Sequence, residues 1–204
     1  LIDSSIMSKK LASGADAIVL DVKTGTGAFM KSKEDSFALA KEMVTLGNNA
    51  GRKTYAIISD MDQPLGFAVG NALEVKEAID TLQGKGPADF LELCMTLGSY
   101  MLIAGEKAEN EKEARDKLTE SVYSGKALDK LAQLIEAQGG DQTSVYHPEL
   151  LPTAEYQEDI ISSQEGYISH ITCSEIGMCS LLLGGGRETK ESAIDLSVGL
   201  ILRK

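Results

Sequence analysis

The chain has 204 residues, of which 43% are hydrophobic, so it is long enough for one large domain or for one domain and a small module. Its formal net charge of −11 argues against binding to nucleic acid or to an anionic membrane, although a local pocket can still hold a small anion. No apolar run reaches the roughly 18 residues of a membrane-spanning helix. Three scattered cysteines favour reduced thiols in the cytoplasm over a disulfide framework.

The first part of the chain predicts an α/β crossover unit. A helix is predicted over 2–12, and short apolar runs at 17–22 and 54–59 predict strands covered on both faces. Ser32 and Asp35 have the spacing of a capping box, so a helix is predicted to begin there. Strand, helix, strand in this order predicts a right-handed crossover and parallel pairing. The apolar face of the second helix is predicted to contain Phe37, Ala40, Met43, Val44 and Gly47.

The rest of the chain is predicted to be mostly helical, and its end is mixed. Helices are predicted over 72–82, 90–101, 110–123 and 127–137, then a hairpin over 160–172, a short helix over 175–183 and a strand over 194–202. The glycine- and proline-bearing stretch 139–152 predicts a domain boundary near Leu151. The predicted fold class is therefore α/β, a crossover sheet domain with flanking helices over 1–150, followed by the start of a small α+β C-terminal domain over 151–204.

Two features of the chain could carry chemistry in the first domain. Ser5 and Lys9 lie one turn apart on the first helix and so share a face, but spacing alone favours an ordinary surface lysine. A glycine-bearing loop over 23–31 follows a strand, where α/β proteins place ligand loops. The loop lacks the third glycine of a dinucleotide-binding motif, because Met30 occupies that place.

The remaining polar residues give weaker signals. Glu74 and Glu77 are one turn apart, and a solvated helix edge is the usual explanation for such a pair. His147 and His170 lack partners at zinc-ligand spacing. From these patterns alone, an enzyme and a small-molecule binding module remain equally compatible with the chain.

Several longer stretches resemble one known family. They are SIMSKK at 5–10, ADAIVLDVKTGTGAFM at 15–30, SDMDQPLG at 59–66, GNALEVKE at 70–77, GKGP at 84–87, LLPTAEYQ at 150–157 and LGGGRETK at 183–190. In this order they resemble the pyrimidine nucleoside phosphorylase and thymidine phosphorylase family across essentially the whole chain. The resemblance implies reversible phosphorolysis of uridine, thymidine or deoxyuridine to the free base and a (deoxy)ribose 1-phosphate.

The same resemblance implies roles for particular residues. Ser5 would bind the polar edge of the pyrimidine, and Lys9 would be the catalytic residue that also binds a carbonyl oxygen and stabilises the charge developing on the departing base. Phe29, with Met30 as the other candidate, would form a wall of the base pocket.

A monovalent cation site is also implied by the resemblance. Main-chain carbonyls of Leu65 and Ala68, with the carboxylate of Glu77, would hold a structural potassium ion, and no organic cofactor is expected. The resemblance further implies a cytoplasmic homodimer whose partners are a pyrimidine nucleoside and phosphate, with no nucleic acid and no membrane.

The extent of the chain bears on this expectation. Leu1 is not an initiator methionine, and the family's phosphate-binding segments would precede it, so we expect a fragment that is inactive by itself. The alternatives are a related phosphoribosyltransferase of the anthranilate type and a non-catalytic scaffold that binds a nucleoside.

Overall fold

The computed structural model of the protein describes residues 2–203. Its helices are α1 (Ile2–Ala12), α2 (Lys33–Asn49), α3 (Asn71–Leu82), α4 (Ala88–Ala104), α5 (Glu111–Tyr123), α6 (Lys126–Ala137), α7 (Thr143–Tyr146) and α8 (Cys173–Ser180). A 3-10 turn spans Pro148–Leu150 and a π-helical turn spans Leu181–Gly185. The strands are β1 (Ala17–Thr24), β2 (Lys53–Asp60), β3 (Ala68–Val69) and β4 (Leu200–Ile201). The mixture of helices with a parallel strand pair confirms the predicted α/β class.

The chain divides into two compact units. The first contains residues 1–62 and 91–120, and the second contains residues 63–90 and 121–204. The domain boundary predicted near Leu151 falls inside the second unit and therefore stays a prediction. Within residues 2–203, no helix combines the length and apolar character needed to cross a membrane.

The first unit is built on the predicted crossover. β1 and β2 pair in parallel, in a register that runs from Ala17 opposite Lys53 to Thr24 opposite Asp60. One face of β1 is buried under α1 and α2, and its core consists of Met7, Ile18, Leu20, Val22, Ala40 and Met43. Asp21 on the other face is exposed, so β1 is less completely covered than its apolar run predicts.

The second helix begins where the sequence predicts. Ser32 is its N-cap, and its hydroxyl accepts a hydrogen bond of 3.1 Å from the backbone N–H of Asp35. The prediction that Phe37 belongs to the buried face is wrong, because its side chain is 62% exposed. The buried stripe of α2 runs through Ala40, Met43 and Gly47, and Phe37 projects from beside it.

Charged side chains tie α4 to α5 within the first unit. The guanidinium of Arg115 donates to both carboxylate oxygens of Glu92, at 3.0 and 2.6 Å, and its Nε donates to Glu111 at 3.1 Å. The hydrogen bond from Arg115 lowers the pKa of Glu92. This forked contact fixes the two helices more closely than a single flexible ion pair would.

The second unit joins the end of the chain to its middle. β3 and β4 are antiparallel, with Ala68 opposite Ile201, and the backbone N–H of Ala72 donates to the carbonyl of Leu196 at 3.1 Å. Gly70 lets these backbones approach, because a Cβ there would lie 2.5 Å from the carbonyl oxygen of Val198. The strand predicted over 194–202 is therefore confirmed only as β4, which is two residues long.

The predicted hairpin over 160–172 is wrong. This stretch contains no strand in the part of the chain that the structure describes, although the short helix predicted after it is confirmed as α8. The side chains of Ile160 and Ile161 are 95% and 85% exposed, so no buried face selects a strand here. Alternation in sequence stabilises a hairpin only when one of its faces packs against something.

The packing of α2 on β2 gives a stability prediction. A Cβ at Gly47 would lie 2.1 Å from Oγ1 of the buried Thr54, whereas a Cβ at Gly177 in α8 would meet nothing within 4 Å. We expect Gly47→Ala to lower the free energy of unfolding by about 1–3 kcal/mol through overpacking. The control Gly177→Ala should raise it by about 0.5–1 kcal/mol through helix propensity. Urea unfolding of both variants checks this, and equal stabilisation by both would contradict the packing described here.

Candidate active site

Ser5 and Lys9 share one exposed face of α1. Met7 lies midway between them and is buried in the core, with its side chain only 1% exposed. A residue two positions away on either side points about 160° from Met7, so both side chains face away from the core. The structure therefore brings the two predicted residues together on an accessible surface.

This face carries hydrogen-bonding groups suited to a planar polar ligand. Among residues 2–203, the Lys9 ammonium makes no hydrogen bond or ion pair that would compete with a ligand. Lys9 also belongs to the last turn of α1, where the helix dipole favours a positive charge. The Ser5 hydroxyl can donate and accept hydrogen bonds, and the Lys9 ammonium one turn away can donate them. Together they can bind the edge of a heterocycle that carries a carbonyl oxygen and a ring nitrogen.

The glycine-bearing loop begins two residues later than predicted. Lys23 and Thr24 still belong to β1, and the loop closes on itself when the N–H of Gly25 donates to the carbonyl of Met30 at 3.0 Å. Gly25 has φ of +121°, and a Cβ there would lie 2.6 Å from the backbone nitrogen of Asp62. Glycine is therefore required at this position both by its dihedral angle and by the close backbone approach.

The loop after β2 holds the loop after β1 in place. The N–H of Met61 donates to the carbonyl of Thr24 at 2.7 Å, and the N–H of Gly27 donates to the carbonyl of Met61 at 2.9 Å. The carboxylate of Asp62 accepts a 2.8 Å hydrogen bond from the N–H of Thr26. Asp62 is not among the residues predicted from the sequence, although an aspartate just after a strand at the carboxyl edge of a parallel sheet often marks a ligand loop.

Phe29 stands out from this loop. Its side chain is 75% exposed, and no hydrogen bond or ring contact in the described part of the chain joins it to Ser5 or Lys9. The ammonium of Lys31 donates to the carbonyls of Thr26 and Ala28, at 2.9 and 2.7 Å, so the backbone just before Phe29 is fixed. The result is an apolar ring presented to solvent by an ordered loop.

A second cation near this loop is already paired. The Lys23 ammonium donates to Asp21 at 2.5 Å and to the hydroxyl of Ser59 at 3.0 Å, on the face of the sheet opposite the core. Because Asp21 neutralises Lys23, this lysine attracts an anion less strongly than Lys9, which has no such partner within residues 2–203. Lys9 is therefore the better candidate for stabilising negative charge.

The predicted cation-site residues lie in the second unit. Glu77 Oε1 accepts hydrogen bonds from the backbone N–H groups of Phe67 and Ala68, at 2.9 and 3.0 Å. Its Oε2 lies beside Gly66, because a Cβ at that glycine would be 2.2 Å from it. Glu77 and Ala68 are thus brought together, and Leu65 immediately precedes the same segment.

A solvated helix edge describes Glu74, which is exposed, but not Glu77, whose carboxylate is partly buried and bonded to backbone. Glu74 accepts from the N–H of Gly70 at 3.0 Å, and Asp89 accepts from the N–H of Gly66 at 3.2 Å. Carboxylates of α3 and α4 therefore hold the backbone of residues 66–70. The sequence could not show this, because it gives no sign that a neighbouring backbone segment folds onto the carboxylates.

The donor chemistry fits a monovalent cation. Main-chain carbonyls and a carboxylate are hard oxygen donors, and Glu77 Oε2 lies beside Gly66, the residue that follows Leu65. Within residues 2–203, no group of three or more His, Cys, Asp or Glu side chains is arranged to hold a metal ion. A site here would therefore depend on backbone oxygens.

Comparison with known proteins extends these observations to a family. Residues 3–128 match the model described as "Glycosyl transferase family, a/b domain", and residues 167–204 match "Pyrimidine nucleoside phosphorylase C-terminal domain". The chain is 60% identical over 204 residues to the pyrimidine-nucleoside phosphorylase of Bacillus subtilis, strain 168. It is 59% identical to that of Staphylococcus haemolyticus and 58% identical to that of Staphylococcus aureus, each over 204 residues.

These matches cover all of this chain and only 47% of each relative. The chain therefore spans about half the length of the curated relatives it matches. The family model covers more than half of the chain, including α1 from its second residue onward, both strands of the parallel pair and the loop that carries Phe29. The chain therefore belongs to the glycosyl transferase family defined by this a/b domain.

Proposed function

We propose that this chain is part of a pyrimidine nucleoside phosphorylase. The observation that carries the proposal is the identity of 58–60% along all 204 residues to relatives with that name. The match of residues 167–204 to a pyrimidine nucleoside phosphorylase C-terminal domain supports the phosphorylase over the phosphoribosyltransferase alternative.

The proposed reaction transfers a pentosyl group to phosphate. A phosphate oxygen forms a bond to the anomeric carbon of uridine, thymidine or deoxyuridine as the bond from that carbon to the base nitrogen breaks. The electron pair of the broken bond leaves with the pyrimidine, which takes up a proton, and the sugar leaves as its 1-phosphate. Negative charge thus develops on the base, and a fixed cation at the base lowers the barrier.

Lys9 and Ser5 are the residues we assign to the base. The Lys9 ammonium would donate a charge-assisted hydrogen bond to a carbonyl oxygen of the pyrimidine, and this bond strengthens as the base becomes anionic. The Ser5 hydroxyl would bind the polar edge of the same ring. Their shared face on α1, directed away from the core, supports this pairing.

Phe29 is the residue we assign to the flat face of the base. An exposed aromatic ring on an ordered loop gives a planar surface on which a pyrimidine can stack. Stacking of this kind supplies affinity and excludes water, and it leaves the choice of base to the hydrogen bonds made by Ser5 and Lys9.

A structural potassium ion is the cofactor we propose. Leu65 and Ala68 would bind it through their carbonyls and Glu77 through Oε2, while Glu77 Oε1 stays on the backbone N–H groups of Phe67 and Ala68. When bound, the ion would neutralise the carboxylate and order the segment that precedes α3. No organic cofactor is part of the proposal.

We also propose a cytoplasmic homodimer for the longer protein that contains this chain. No disulfide joins its three cysteines in the part that the structure describes, which supports a reducing compartment.

Since the chain spans 47% of its relatives, we expect the 204 residues alone to turn over uridine and phosphate far more slowly than the longer protein. A phosphorolysis assay on both checks this, and comparable turnover would contradict it.

Removal of the Lys9 ammonium tests the assignment of the base site. In the longer protein, Lys9→Ala should lower kcat/KM for uridine about 10²–10³-fold, because charge on the departing base loses its counter-ion. Uracil affinity, measured by isothermal titration, should fall with it.

The matched control is Lys10→Ala, since Lys10 is exposed on the same helix but points about 100° away from Lys9. It should leave kcat/KM within about twofold. Equal losses in the two variants, or unchanged uracil binding in Lys9→Ala, would rule out the base-site role and favour a different ligand.

The cation site is tested by the dependence of stability on potassium. A ligand that binds only the folded state at ten times its Kd stabilises that state by about 1.4 kcal/mol. We expect the Tm of the longer protein to rise in potassium chloride over tetramethylammonium chloride. Glu77→Gln should remove this rise, since its amide oxygen can still accept from Phe67 and Ala68 but carries no charge.

Lys85→Gln provides the comparison for Glu77→Gln, because Lys85 is exposed and lies outside the proposed site. It should keep the full potassium effect on Tm. A potassium effect of the same size in Glu77→Gln would show that the cation binds elsewhere.

A further inference from the structure

The loop that carries Phe29 is bonded to one carboxylate of the neighbouring loop. The N–H of Thr26 donates to Asp62 Oδ1 at 2.8 Å, and the hydroxyl of Thr26 donates to the backbone carbonyl of Asp62 at 3.4 Å. The N–H of Asp62 in turn donates to Asp60 Oδ1 at 2.9 Å, so the aspartate is itself held in place. All these groups belong to the first compact unit.

Asp62 lies where the two loops approach each other closely. A Cβ at Gly25 would fall 2.7 Å from Asp62 Oδ1 and 2.6 Å from its backbone nitrogen. The backbone bonds from Gly27 to Met61 and from Met61 to Thr24 flank this contact on both sides. The N–H groups of Gly25 and Ala28 donate to carbonyls of the same loop and that of Gly27 donates to Met61. The N–H of Thr26 donates to a side chain, so a single substitution can remove its acceptor.

We propose that Asp62 is a positioning residue for the base site, which sets the conformation of residues 25–30 and thereby the orientation of Phe29. This inference rests on the proposed function, since it gives Asp62 a role in binding a pyrimidine. Asp62 would not touch the substrate. It acts through the N–H of Thr26, three residues before the aromatic ring.

The physical consequence is an effect on affinity. A loop that is ordered before binding pays less conformational entropy when the ligand arrives. Phe29 would stack on the base in the ground state and the transition state alike, so losing its orientation weakens both equally. Removing the Asp62 carboxylate should therefore raise KM and the Kd for uracil while leaving kcat within about twofold. The loss of Lys9 should instead lower kcat.

The test uses Asp62→Ala and its conservative partner Asp62→Asn in the longer protein. Alanine removes the acceptor for the Thr26 N–H, whereas the asparagine Oδ1 keeps it. We expect Asp62→Ala to raise the Kd for uracil roughly fivefold and Asp62→Asn to stay within about twofold of the parent. Hydrogen exchange at the Thr26 amide should accelerate at least about fivefold in Asp62→Ala only.

A double-mutant cycle separates action through Phe29 from a general loss of stability. Phe29→Ala alone should raise the Kd for uracil roughly tenfold. Adding Asp62→Ala to Phe29→Ala should weaken binding further by less than about twofold, because the ring that Asp62 orients is gone. If Asp62→Ala does not fold, Asp62→Glu replaces it in the cycle, since its longer side chain displaces the carboxylate without removing the charge.

The outcomes distinguish this inference from the proposed function. Weaker binding in Asp62→Ala, rescue by asparagine and a non-additive cycle support the positioning role. If Asp62→Ala binds uracil like the parent while Phe29→Ala binds it weakly, the inference is overturned and the base site stands. An additive double-mutant cycle has the same consequence. Unchanged uracil binding in both Phe29→Ala and Lys9→Ala overturns the base site and the inference together.

Discussion

The parallel pairing of β1 with β2 is the constraint on which the candidate base site depends. Parallel strands end at the same edge of a sheet, so the loops that follow Thr24 and Asp60 must meet there. Once they meet, backbone and side-chain hydrogen bonds join them, and a Cβ at position 25 would clash with the backbone of Asp62. The exposed position of Phe29 follows from this closed pair of loops and not from any preference of the phenylalanine itself.

The exposed face of α1 that carries Ser5 and Lys9 has a separate physical cause, which is the packing of the opposite face of the helix. Burial of Met7 against β1 and α2 fixes the rotation of α1, and this rotation alone directs Ser5 and Lys9 outward. Within residues 2–203 no partner competes for the Lys9 ammonium, so it can donate to a ligand on which negative charge develops. The contrast with Lys23, which is paired with Asp21, shows how neighbours decide which lysine can serve a ligand.

The second unit pairs two short strands that lie far apart in the sequence. Two residue pairs join β3 to β4. This small ladder is reinforced by carboxylates that accept hydrogen bonds from backbone N–H groups within residues 66–70. Glu77 has one oxygen in that role and the other beside Gly66. A single side chain can therefore serve the fold and, in our proposal, the cation as well.

The sequence by itself determined the local elements, since helix caps, apolar periodicity and strand-length runs act within a few residues. It predicted α1, the Ser32 cap of α2 and the parallel pair, and its longer motifs identified the family. Only the tertiary structure decided that Phe37 is exposed, that residues 160–172 form no hairpin, and that Asp62 and Glu77 bond to distant backbone. Such outcomes depend on which surfaces meet, and no local pattern encodes that meeting.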